Sequence, residues 1–188
     1  MHYKELIKIW DPIFNKLGCR KSNENNWVLE MQDLIVLFSF KVHAGIKEFY
    51  IDLGIIIKKW HGDRIFKRPL IDNYDHDVEQ GLFALLFRLG GPEYYYYLNN
   101  LICYDPEINT AEEVKVNSME LAVLFRRKIM PIIERLDLYA WMEEDFDKKE
   151  AWKPFLRHFR PSPQVDEFFC GGLEKYYLKE RKTIPDEE

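Results

Sequence analysis

The sequence predicts an α+β fold: an antiparallel sheet with helices packed mainly on one face, and a helical C-terminal half. Three observations predict it. Apolar residues recur at spacings of three and four before residue 18. They alternate with a period of two between residues 34 and 57, and the three-and-four spacing returns after residue 110. Short connections between the alternating runs make neighbouring strands antiparallel. At 188 residues, 47% hydrophobic and 15% aromatic, the chain can close a core without staples, and intrinsic disorder is excluded. One domain is expected over residues 1–182, with a frayed tail over 183–188.

Tyr3, Leu6, Ile7, Trp10, Ile13, Phe14 and Leu17 form one stripe, so the first element is a helix, stopped at Gly18. Pro12 lies inside it and predicts a kink, or two short helices meeting at Asp11-Pro12. Residues 20–26 are polar and turn-forming. Strands follow over 27–31, 34–42 and about 49–57. Leu34, Val36, Phe38, Phe40 and Val42 share one face of the second strand. Phe49, Ile51, Leu53, Ile55 and Ile57 share one face of the third, with Tyr50, Asp52 and Gly54 among the alternates. That pattern predicts a sheet with a single buried face. Residues 43–47 can turn the hairpin between them. Residues 82–87 are apolar throughout, and glycines at 81, 90 and 91 bound a run of strand length, so a further strand is expected there.

Thr110-Ala111-Glu112-Glu113 has the form of a capping box. The helix it opens carries Leu121, Leu124, Phe125, Ile129, Ile132 and Leu136 as a stripe, with a kink expected at Pro131. A short helix is expected over 138–146. Pro161-Ser162-Pro163 breaks the chain, and a last helix over 164–182 is interrupted at Gly171-Gly172.

Several motifs, taken together, resemble a known family. They are Phe14-Asn15-Lys16-Leu17-Gly18-Cys19-Arg20-Lys21, then Trp27 opening a strand, Phe49-Tyr50-Ile51-Asp52-Leu53-Gly54-Ile55, Phe87-Arg88-Leu89-Gly90, and Ile129-Met130-Pro131-Ile132-Ile133-Glu134-Arg135-Leu136. With them the chain resembles the bacterial domain-of-unknown-function family 4304 over roughly residues 3–145. Cys19 departs from the aromatic residue usual after that glycine. The resemblance implies an α+β fold and carries across no activity and no catalytic residue. Small bacterial domains of this type often look like immunity proteins encoded beside polymorphic toxins.

No apolar run approaches the ~20 residues that span a bilayer, and the first residues lack a basic region followed by an apolar stretch, so a cytoplasmic protein is expected. The formal charge of −5 argues against a general nucleic-acid binder and suits a basic partner. Cys19, Cys103 and Cys170 are odd in number and lack zinc or redox spacing, so reduced thiols are expected.

Few constellations carry chemistry. Asp72, Asp75, His76 and Asp77 offer metal ligands but lack the glycine and late glutamate of a calcium loop, so they read as a solvated acidic loop. His61-Gly62-Asp63-Arg64 places an imidazole near a carboxylate with no nucleophile beside it. Lys58, Lys59, Arg64, Lys67 and Arg68, with Trp60 and Phe66 interleaved, are the best nucleic-acid candidates, but Asp72, Asp75, Asp77 and Glu79 follow and cancel much of their field. Gly90-Gly91-Pro92 lacks the lysine and hydroxyl of a phosphate loop.

Two features point to a partner. Tyr94, Tyr95, Tyr96 and Tyr97 cannot all face a core, and tyrosine is enriched at interfaces. Either two rings are core and two cover neighbouring surface, or they form a binding patch. Glu143, Glu144, Asp145 and Asp147 form an acidic run that is either a solvated helix end or a match for the Lys and Arg groups of a toxin's cleft. The expected function is a non-enzymatic protein-binding module, most concretely an immunity protein that occludes a bacterial toxin domain. It calls for no catalytic residue, metal, cofactor or membrane. The alternatives are an enzyme or small-ligand binder with a pocket between sheet and helices and, more weakly, a nucleic-acid-associated protein.

Overall fold

The structure, a computed structural model, describes residues 3–45, 47–58, 85–89, 101–139 and 160–161. The first helix, α1 (Tyr3–Lys16), buries Leu6, Ile7, Trp10 and Phe14. It runs as one element through Pro12, which lies on its exposed side. The two-helix alternative is therefore not what forms. Gly18 ends it with φ +83°, the left-handed conformation that glycine adopts without a Cβ penalty. The Cys19 N–H then donates to the Phe14 carbonyl at 3.0 Å and the Gly18 N–H to the Asn15 carbonyl at 3.1 Å, which satisfies two of the helix's last carbonyls.

Among the described residues, six strands make one antiparallel sheet: β1 (Arg20–Lys21), β2 (Asn26–Glu30), β3 (Leu34–His43), β4 (Glu48–Ile57), β5 (Leu85–Leu89) and β6 (Arg160–Pro161). Their order in space is their order in the chain. Residue pairs such as Phe38 with Leu53, and Leu53 with Phe87, set the register. β1 was hidden in a polar stretch read as turn. Among the described strands it lies at one edge and β6 at the other, a place that suits Pro161, which has no N–H to donate. Beside the start of β4, the Phe49 N–H donates to the Ile102 carbonyl at 3.0 Å and the Tyr104 N–H to the Lys47 carbonyl at 2.9 Å. Residues 101–104 are thereby held along the sheet.

The core lies between the sheet and the described helices. Phe14 stacks on Trp27 at 4.4 Å between ring centres. Phe38 lies 5.0 Å from Phe14 and 5.5 Å from Phe125, and Phe40 stacks on Phe49 at 5.3 Å. Asp11 ties α1 to the sheet edge. It accepts from Trp27 Nε1 at 2.9 Å and from Lys21 Nζ, whose ammonium sits over the Trp27 ring.

The expectation of a single buried face needs correction. Ile35, Leu37, Ser39, Asp52, Gly54 and Ile56, all on the opposite face, are buried as well. Composition is compatible with this second buried face: residues 34–38 are apolar at every position, and the alternates at 39 and 54 are small.

The C-terminal helices pack over the aromatic face. α2 (Ala111–Leu124) opens with the expected capping box. The Glu113 N–H donates to Thr110 Oγ1 at 3.3 Å, and Glu113 Oε2 accepts from the Thr110 N–H at 2.7 Å. Accepting from the backbone and hydroxyl of Thr110 holds the Glu113 carboxyl below its ordinary range. Residues Phe125–Ile129 form a π-helical turn, in which the Met130 N–H donates to the Phe125 carbonyl. The widened turn accommodates Pro131, which has no N–H and in a regular helix crowds the carbonyl four residues back. α3 (Met130–Tyr139) follows and buries Ile133 and Leu136. The fold is α+β.

At the end of that helix Asp137 reaches back to the sheet. Its Oδ1 accepts from the backbone N–H of Asp33 at 2.8 Å and of Leu34 at 2.9 Å. These charge-assisted bonds fix where β3 starts and where α3 docks. Asp137→Ala is expected to lower stability by about 1–3 kcal/mol, because two half-buried amides lose their acceptor. Urea unfolding measures it, and a change within error would mean that water replaces the carboxylate without loss.

Candidate functional site

The residues expected to meet a partner, Tyr94, Tyr95, Tyr96, Tyr97, Glu143, Glu144, Asp145 and Asp147, lie outside the described residues. So do the acidic loop with Asp72, Asp75, His76 and Asp77, the His61-Gly62-Asp63-Arg64 stretch, Cys170, and all of the basic stretch except Lys58. Lys58 is engaged locally. Its Nζ donates to the Met31 carbonyl at 2.6 Å and to Glu30 Oε1 at 3.3 Å, so it clamps the β2–β3 turn.

The described cysteines are built for packing. Cys19 and Cys103 are buried thiols that form no disulfide. Burial pushes the Cys19 thiol up to about 12. A thiol held protonated is neither a nucleophile nor a metal ligand. Among the described residues, no group of three or more His, Cys, Asp or Glu side chains converges as a metal site would require.

Two arrangements escaped sequence reasoning. The first is a polar row across the sheet's second face. Asn26 on β2 pairs in register with Ser39 on β3, Ser39 with Asp52 on β4, and Asp52 with Arg88 on β5. Asn26, Ser39 and Asp52 are buried. Lys41 approaches Asp52, with its Nζ 3.5 Å from Oδ2. A burial cost this high needs such a partner. Because strand side chains alternate, a one-residue slip of β4 against β3 would carry Asp52 to the aromatic face. The row therefore specifies register.

The second is the outer face of α2. Val114, Ser118 and Leu121 are buried, yet Val116, Met119 and Val123 are exposed at 47%, 57% and 49%. Spaced by three and four, they form an apolar stripe opposite the buried one. Glu112, Glu113 and Glu120 are exposed on the same helix, and Arg126, Arg127 and Lys128 are exposed on the π-helical turn. The signal in the sequence was a helix apolar on both sides.

No family model, no curated protein and no solved structure matches this chain. The likeness to family 4304 thus rests on the short motifs quoted above. The described residues offer a buried polar row, an exposed apolar stripe on α2 and a ring-filled core.

Proposed function

We propose that the protein is a non-enzymatic binding module for a basic protein, most concretely an immunity protein that occludes the active-site cleft of a bacterial toxin domain. The observation that carries this reading is the acidic run of Glu143, Glu144, Asp145 and Asp147 together with four consecutive tyrosines, on a chain of net charge −5. Acidic groups steer a basic cleft into place, and rings such as Tyr94 to Tyr97 supply the desolvated anchors. Two further points support it. The Cys19 thiol is buried and held protonated. Between the sheet and the described helices, where a substrate pocket was the alternative, Trp10, Phe14, Phe38, Phe40, Phe49 and Phe125 pack ring to ring.

The test is affinity capture from the native cell, followed by binding kinetics against the captured partner at two salt concentrations. A basic partner is expected, with association faster at low salt. Reversing Glu143, Glu144 and Asp145 to Lys should slow association more than it speeds dissociation. Truncating an exposed ring among the tyrosines should act on dissociation, typically by about 1–4 kcal/mol. Capture of an acidic partner, or association indifferent to both salt and charge reversal, would sink the proposal.

A further inference from the structure

We propose that the outer face of α2 docks onto the same face of a second copy of this chain, with the two helices antiparallel about a two-fold axis beside Met119 and Glu120. The surface belongs to residues distinct from those of the proposed toxin interface, and the inference does not rest on that reading.

The stripe Val116, Met119 and Val123 has a charge order along it. Glu112 lies one turn before Val116 and shares its face, and Arg127 is exposed in the π-helical turn beyond Val123. Glu112 and Glu113 mark one end, the apolar residues the middle, and Arg126, Arg127 and Lys128 the other end, all of these charges exposed. Reversal by a two-fold axis maps this order onto its complement. Val116 meets the second copy's Val123, and Glu112 meets its Arg127. The Met119 side chains flank the axis. An isologous contact demands such self-complementarity.

The same order disfavours other occupants. A uniformly basic partner would meet like charge at Arg126, Arg127 and Lys128, and a uniformly acidic one would meet it at Glu112, Glu113 and Glu120. A parallel pairing would set acid against acid and base against base. Among the described residues, Glu112 reaches only Lys115, at 3.8 Å and on the surface, a contact too weak to withhold it from a partner. One helix against its mate is a small interface, so the association is expected to be reversible in the micromolar range.

Sedimentation equilibrium of the full chain, from about 5 to about 500 μM at low salt, tests this. The mass is expected to rise from the chain's 22.8 kDa toward twice that value. Met119→Lys should leave a monomer throughout, because it places two ammonium groups at the axis. Glu112→Arg and Arg127→Glu should each weaken association by about tenfold or more, and the double variant carrying both should return to within about threefold of the original. All three positions are on the surface, so circular dichroism should show unchanged folding. A wild-type chain that stays monomeric overturns the proposal. So does a dimer indifferent to Met119→Lys, or a double variant no better than the single ones.

Discussion

Phe38→Ala is expected to lower the unfolding free energy by about 3–5 kcal/mol, enough to remove a large part of the stability of an ordinary domain. Phe38 is fully buried at the centre of β3. Its ring contacts Phe14 of α1 on one side and meets Phe125 of the π-helical turn edge-on at 5.5 Å on the other. It therefore joins three elements distant in the chain, and truncation opens a cavity that none of them can close alone. Urea unfolding measures the loss, with an unchanged slope marking a pure stability effect. Phe38→Leu should cost less, because it keeps most of the volume. A loss below about 1 kcal/mol for the alanine variant would mean that this ring cluster is not packed as described.

The second large effect is confined to alkaline pH. Burial raises the Cys19 thiol from 9.0 to about 12. The folded state thus keeps the proton over a range in which the unfolded chain releases it. The stability tied to that proton is fully present below pH 9 and is lost as pH rises from 9 toward 12, at about 1.4 kcal/mol per unit. Other groups titrate in the same range, so the informative quantity is the difference between the wild type and Cys19→Ala. Between pH 8 and pH 11 the wild type should lose about 2–3 kcal/mol more than the variant. Equal losses in the two proteins would show that water reaches the thiol. In native protein at pH 8, the same thiol should resist alkylation.

Local pattern made much of the fold legible. The seven apolar residues at three-and-four spacing marked α1, Gly18 marked its end, and Thr110 with Glu113 marked the start of α2. β3 and β4 were legible because large apolar residues occupy every second position. What stayed hidden has specific causes. A period of two signals one buried face and says nothing about a second, so Ile35, Leu37 and Ile56 went unweighed. Asp52 passed for a solvent-facing alternate because its partner, Lys41, is eleven residues away on another strand. The bond from the Leu34 N–H to Asp137 spans 103 residues, beyond any local pattern. Pro131 announced an irregularity but not its form. In α2, Val114 with Leu121 and Val116 with Val123 have the same spacing, and only packing against the rest of the molecule decides which pair turns inward. The tyrosines and acidic residues first singled out for binding lie outside the described residues.

The π-helical turn makes one segment intolerant of any change in length. It holds five residues, Phe125–Ile129, where a regular helix would hold about four. Loss of a single residue there would restore a conventional turn, in which Pro131 offers no donor to the carbonyl four residues back. It would also rotate everything downstream by about 100°. Ile133 and Leu136 would swing off the core, and Asp137 would no longer face the amides of Asp33 and Leu34. Substitution at the exposed Arg126, Arg127 or Lys128 leaves that phase untouched. Among descendants of this sequence, insertions and deletions should therefore be purged from the turn whatever residues its surface carries.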